Sequence, residues 1–178
     1  MILIALGSNL PGPWGSPRQT LASALEAIEE SGISLQGCSS GYRTKAYGDL
    51  GQPDYVNAVA SVLSHLPPEA LLLRLHRIER QAARARGERW GARTLDIDLL
   101  SWNGRVSGGQ AENGRRGELG YKPISLPHPG LCKRPFVAIP LAEIAPRWHH
   151  PVTGETAGMI ARSASRFAAG AVLEAVEL

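Results

Sequence analysis

The chain opens on the apolar run MILIAL, closed by Gly7, Ser8 and Asn9 and followed by Pro11, Gly12 and Pro13. A short unbroken run bounded by turn formers predicts a buried strand and then a turn. Ser16-Pro17 next supplies an N-cap with proline at the first helical position, and Leu21, Ala24, Leu25 and Ile28 recur at helical spacing until Gly32. That spacing predicts a first helix over 17–31. Residues 33–42 and 56–63 alternate loosely and are β-compatible, so two strands flank a loop at 43–55 that is rich in Gly, Pro and Asp. Pro67-Pro68-Glu69 opens a second helix, on which Leu71, Leu72, Leu75 and Ile78 form one apolar stripe with basic residues on the other faces. Its end runs into Arg84 and Arg86.

Residues 95–100 alternate apolar and acidic side chains as a strand does. The stretch 103–122 is dominated by Gly, Arg, Glu, Asn and Ser with no periodic apolar face, which predicts a surface excursion. Residues 136–144 fit a short apolar strand or a helix, and 156–165 a final amphipathic helix. There is no internal repeat and no linker between domains. The order β, α, β, β, α, β points to a split arrangement in which helices cover an antiparallel sheet, and hence to the α+β class.

Composition narrows the function classes. At 178 residues, with 43% hydrophobic and 20% charged, the chain is one globular domain and too apolar for a disordered one. Cys38 and Cys132 stand far apart with no C-x-x-C pairing, so neither a disulfide framework nor a thiolate zinc site is indicated. The apolar start has no basic leader and no run approaches the ~20 residues of a membrane span, so a cytoplasmic location is expected. Net charge is +3, the sequence pI is near 9.1, and since lysine stands only at Lys45, Lys122 and Lys133, arginine supplies 16 of the 19 basic residues. The planar fork of arginine grips phosphate oxygens in pairs, so this excess leans toward phosphate ligands. Abundant Ala and Gly make genomic bias an equally good explanation on composition alone.

The sharpest local feature is Asp96-Ile97-Asp98. On a strand both carboxylates leave the same face, ~7 Å apart, while Leu95, Ile97 and Leu99 point into the core. Carboxylates so placed repel unless a cation or an arginine lies between them, and hard oxygen ligands favour magnesium held jointly with substrate phosphates. A bare D-x-D is also the pattern of an ordinary solvated strand face. Upstream, however, Arg84, Arg86, Arg89 and Arg93 surround Trp90, and Gly87 and Gly91 interrupt any helix there. An arginine-bearing loop beside paired carboxylates is what phosphoryl transfer requires, with metal on one side and guanidinium groups on the other.

The string RWGARTLDIDLL at 89–100 strongly resembles the signature of the 6-hydroxymethyl-7,8-dihydropterin pyrophosphokinase family. Further segments agree in order: ALGSNL at 5–10, YRTKAYG and QPDYVNAV at 42–48 and 52–59, LLRLHRIE at 72–79, and LPHPGLCKRPFVAIPLAEIAP at 126–146. The resemblance implies a ferredoxin-like split βαβ fold, an antiparallel sheet covered by helices in α/β/α layers, as a single domain over 1–178 with a surface insertion at 103–122. It implies transfer of the β,γ-diphosphoryl group of ATP to the hydroxymethyl oxygen of the pterin, giving the pterin diphosphate and AMP in folate biosynthesis. It also implies two Mg2+ ions, both on Asp96 and Asp98, with Asp98 as a proton acceptor. Tyr55 and Phe136 would sandwich the pterin, Asn57 and Thr44 would read its edge, and Trp90 would close over it. Arg84 and Arg93 would act on the triphosphate, Arg84 and Arg86 competing for the catalytic role. His76, Glu79, Arg86, Arg93, His128 and Arg134 would face the nucleotide.

This chain departs from the family pattern at Ala92 and Lys45, where proline is usual, and at Gly130, where arginine or another polar residue is common. Competing readings are a basic nucleic-acid-binding module and a phosphohydrolase using the same carboxylates. The first is weakened by an aromatic content of 6%, which leaves no stacking platform for bases. The expected partners are therefore ATP and the pterin, with no nucleic acid and no membrane, for a monomer. The loop between Arg84 and Gly91 is expected to order on nucleotide binding.

Overall fold

A computed structural model of the chain describes residues 1–46, 51–83, 93–108, 124–167 and 170–178. Strand β1 (Ile2–Ser8) is apolar at consecutive positions because both of its faces are covered. Ile2, Ile4 and Leu6 enter one buried cluster with Leu21, Ala24 and Ile28 of α1 (Pro17–Glu30) and Leu71, Leu75 and Ile78 of α2 (Pro68–Gln81). Leu3 enters a second cluster on the opposite face, with Val137, Ala138 and Leu141 of α3 (Pro135–Ile144) and Ala157, Ile160 and Ala164 of α4 (Ala157–Ala164). Each such Leu or Ile contributes about 2 kcal/mol by leaving water. The sheet is thus the middle of three layers, as expected.

The strands run β5 (Asp96–Trp102), β1, β4 (Tyr55–Leu63), β3 (Gly41–Thr44), β6 (Val172–Val176), with β2 (Ser34–Cys38) pairing with β4 alongside β3. Every pairing is antiparallel. With β2 and β3 counted as one divided strand, β1 to β5 reproduce the expected split βαβ order. The sequence pattern predicts one strand over 33–42; the ladder instead breaks at Ser39. There the amide of Ser39 donates to Val59 O at 2.9 Å while its Oγ accepts from Val59 N at 3.0 Å, so one side chain replaces part of the backbone ladder. Residues 136–144 are helical as α3. Its Pro135 sits in the first turn and Pro140 lies inside, and a central strand does not tolerate prolines that withhold ladder donors.

The helix starts follow from their caps. Ser16 and Gln19 form a capping box at α1, with Ser16 N donating to Gln19 Oε1 at 2.9 Å, and the Oγ of Thr156 accepts from Met159 N at 3.2 Å at α4. Arg74 Nη1 donates to Ser31 O at 2.6 Å and ties α2 to the end of α1. Among the described residues, no helix is long and apolar enough to cross a membrane. Most of the insertion expected at 103–122 lies outside the described residues; at its root, Ser107 and Leu126 exchange backbone hydrogen bonds of 2.9 and 3.1 Å.

Candidate active site

Strand register builds the floor of a cleft. Gly7 on β1 stands opposite Asn57 on one side and Asp96 on the other, and Ala5 stands opposite Asp98. A Cβ at Gly7 would lie 2.8 Å from Asn57 Oδ1, so only glycine leaves this approach open. Leu95, Ile97 and Leu99 are buried while Asp96 and Asp98 line the cleft, so the period of the strand does separate core from chemistry. The cleft has a volume of about 280 Å3.

One wall carries charge. Arg93 Nη1 meets Asp96 Oδ2 at 2.6 Å. Arg134 Nη1 and His128 Nε2 lie 3.6 and 3.8 Å from Asp98 Oδ2, longer than hydrogen bonds. His128 reaches this position because its amide donates to Leu100 O at 2.8 Å, which lays the 126–134 segment along the outer edge of β5. Burial, and then the charge of Asp96, pushes the Asp98 carboxyl above its usual range, against the pull of His128, Arg134 and Arg93. Burial holds His128 below its ordinary value, opposed by Asp98 and assisted by Arg134. For Arg93, burial works to lower the pKa, but Asp96 first, then Tyr55 and Asp98, hold it above its ordinary value.

The other wall is suited to a flat polar ligand. Tyr55 and Phe136 both line the cleft, as do Thr44 and Lys45. Asn57 is buried and its Nδ2 donates to Thr44 Oγ1 at 2.8 Å, which fixes the amide orientation and leaves Oδ1 toward Gly7. The structure therefore brings together Thr44, Tyr55, Asn57, Arg93, Asp96, Asp98, His128, Arg134 and Phe136 around one volume. Arg84, Arg86 and Trp90 lie outside the described residues.

Glu79 departs from expectation. Its Oε1 accepts from Ile97 N at 2.8 Å and the residue is only 3% exposed, so it braces β5 between the two aspartates and does not line the cleft. His76, one turn earlier on α2, is half-buried and likewise not among the cleft residues. Asn9, read as a turn residue, is a connector the sequence reading missed. Its Oδ1 accepts from Arg93 N at 2.7 Å, its Nδ2 donates to Gln52 Oε1 at 3.3 Å and Pro53 O at 3.2 Å, and its own amide donates to Arg93 O at 3.0 Å. One buried side chain thus joins the backbone of Arg93 to the segment leading into Tyr55.

The 7,8-dihydro-6-hydroxymethylpterin-pyrophosphokinase family model matches residues 3–146, which contain every wall of this cleft. The chain belongs to that family. Similar proteins include the 2-amino-4-hydroxy-6-hydroxymethyldihydropteridine pyrophosphokinases of Synechocystis sp. (40% identical over 154 residues, 86% of this chain and 71% of the relative) and Haemophilus influenzae (42% over 143 residues, 80% and 79%). That of Aquifex aeolicus is 31% identical over 151 residues, 85% of this chain and 84% of the relative. As a pterin pyrophosphokinase, the chain is a transferase of folate biosynthesis. The segment from α4 onward lies beyond the residues that the family model matches.

The donor set of this pyrophosphokinase fits magnesium. Among the described residues no group of three or more His, Cys, Asp or Glu side chains forms a complete metal cage. Mg2+ needs no such cage, because it keeps water and takes phosphate oxygens beside one or two carboxylates. Asp96 and Asp98 supply such a pair, and a dication would offset both the burial that chiefly raises the Asp98 pKa and the like charge of Asp96 that adds to it.

Proposed function

We propose that the cleft transfers the pyrophosphoryl group of ATP to the hydroxymethyl oxygen of 6-hydroxymethyl-7,8-dihydropterin, with Asp96 and Asp98 holding two Mg2+ ions against the nucleotide. The observation that carries this reading is the convergence, in one volume, of paired carboxylates beside Arg93 with an aromatic and amide wall made by Tyr55, Phe136 and Asn57. Tyr55 and Phe136 take the pterin between them, a geometry that rewards offset stacking. Asn57, held by Thr44, offers donor and acceptor to the pterin edge. Arg93 neutralises charge on the transferring group, with Arg84 or Arg86 as its partner, and Trp90 closes over the pterin. His128 and Arg134 take the nucleotide side. When bound, Mg2+ supplies charge neutralisation at the phosphates and acidifies the attacking hydroxyl.

The residues of the chain perform the remaining work. Holding the hydroxymethyl group beside the nucleotide converts an encounter of two substrates into an intramolecular step. Asp98, whose carboxyl sits above its usual pKa, accepts the hydroxyl proton. Asn9 keeps Arg93 in register with the Tyr55 segment, coupling the phosphate wall to the pterin wall. The chain is proposed to act as a monomer, and the cytoplasm is the proposed site of the reaction.

Incubation with ATP, Mg2+ and the hydroxymethyl pterin is expected to yield AMP and the pterin diphosphate. ADP as the nucleotide product would exclude the reaction, and phosphate or pyrophosphate released without pterin would point to a phosphohydrolase.

A further inference from the structure

The turn from His128 to Arg134 passes two groups of the charged wall across a residue with no side chain, Gly130. The amide of Gly130 donates to His128 Nδ1 at 3.1 Å. A neutral ring then carries its proton on Nε2, the nitrogen that faces Asp98 at 3.8 Å. The Cα of Gly130 has a separate role. A Cβ built on it would lie 2.5 Å from Arg134 Nε, 2.7 Å from Cζ and 2.9 Å from Cδ. These separations are far inside van der Waals contact, so the Arg134 side chain occupies the space that the Cβ of any other residue would fill.

From that seat Arg134 Nη1 stands 3.6 Å from Asp98 Oδ2, and Cζ lies 5.8 Å from the centre of the Phe136 ring. The backbone around it is tied down. Leu131 N donates to His128 O at 3.0 Å, Lys133 N to Gly130 O at 3.3 Å, and Val137 N and Ala138 N to Arg134 O at 3.0 and 2.9 Å as α3 begins. If Gly130 gained a methyl group, the Arg134 arm would have to shift, while these backbone bonds would hold the turn.

We propose that Gly130 is a positioning residue whose bare Cα seats the Arg134 side chain between Asp98 and Phe136, while its amide sets the His128 tautomer, so that both groups meet the nucleotide from one wall. This rests on the pyrophosphokinase reading of the same cleft.

The test is a double-mutant cycle on the intact enzyme with Gly130→Ala and Arg134→Ala, read as binding of a non-hydrolysable ATP analogue and as melting temperature. Gly130→Ala keeps the amide and so isolates the role of the Cα. It is expected to weaken analogue binding about tenfold, the scale of a lost charge-assisted contact, with the melting temperature and pterin binding unchanged. Added to Arg134→Ala, it should have no further effect. If Gly130→Ala lowers the melting temperature, the double variant should recover it, because removing the arm removes the clash. Analogue binding unchanged in Gly130→Ala, additive losses in the double variant, or a melting temperature that does not recover would each overturn the proposal. Failure of the wild-type enzyme to form AMP would overturn the underlying reading instead, a result distinct from any in the cycle.

Discussion

Two carboxylate sites at opposite ends of α3 are built on opposite principles. Near the last turn of the helix, Glu143 accepts from Ser40 N and Ser40 Oγ, each at 3.0 Å, and from Tyr42 OH at 2.8 Å. Burial works to raise its pKa, yet the Ser40 amide and the two hydroxyls hold it below its ordinary value. Its neighbours bear the consequence. Burial and then Glu143 push Tyr42 up to about 12 and Cys38 up to about 11. At the other end, where Arg134 and Phe136 start the helix, Asp98 is buried facing the like charge of Asp96, and Arg134 and His128 stand beyond hydrogen-bond length from it. Glu143 joins α3 to β3 and is satisfied within the fold. Asp98 is left raised in energy by burial and by its neighbour, a state that a bound cation would relieve.

The contrast is broken most severely at the aspartates. Asp96→Ala or Asp98→Ala is expected to reduce turnover on the order of 1000-fold while leaving the melting temperature unchanged or higher, measured by AMP formation and thermal unfolding. Unchanged turnover in both variants would refute the assignment. Arg93→Ala comes next, raising the barrier by about 2 to 4 kcal/mol if it stabilises transition-state charge. Steady-state rates check this, and a loss below about threefold would make it a bystander. At the Glu143 end the expected effect is on stability. Tyr42→Phe should cost at most about 1 kcal/mol, because the site is exposed and screened, with turnover nearly unaltered.

The two ends should also respond to pH with opposite sign. The depressed pKa of Glu143 gives stability that is present above the unfolded carboxylate value of about 4.3 and lost as pH falls through the lower folded value. The raised pKa of Tyr42 gives stability fully present below about 10 and lost as pH rises through its folded value; Tyr42→Phe should flatten that alkaline slope in a denaturation series. Asp98 runs counter to Glu143. Its folded pKa is raised, so in chelated solution Asp98→Asn should stabilise the protein more as pH rises from the acid range toward neutrality. A constant difference across that range would remove the claimed frustration.

Much of this was legible in residue order, for stated physical reasons. The buried β1 is a short unbroken apolar run closed by turn formers, and α1 and α2 each carry a helical apolar stripe behind an N-terminal proline. Asp96 and Asp98 were readable as a pair because a strand puts alternate residues on one face. What escaped depends on partners distant in sequence. Strand β6 is an edge with weak alternation, and it exists because Val176, Ala175 and Glu174 find Gly41, Tyr42 and Arg43. Arg43 Nε then pairs with Glu174 Oε1 at 2.7 Å. Ser39-Ser40-Gly41 carries turn formers, but the side chain that bridges the break between β2 and β3 answers to Val59, distant in sequence. Glu79 and Asn9 have ordinary sequence settings, on a helix face and after a strand; their roles arise only when Ile97 and Arg93 are brought beside them. Gly130 reads as punctuation until the Arg134 arm is seen lying across it.

The central claim is that the adjacent acids of β5 share a divalent cation with the nucleotide. Its most direct test is calorimetric titration of a non-hydrolysable ATP analogue into wild type, Asp96→Asn and Asp98→Asn, with and without Mg2+. Mg2+ should tighten binding to the wild type and lose most of that effect in each variant. The same Mg2+ enhancement in all three proteins would contradict the account.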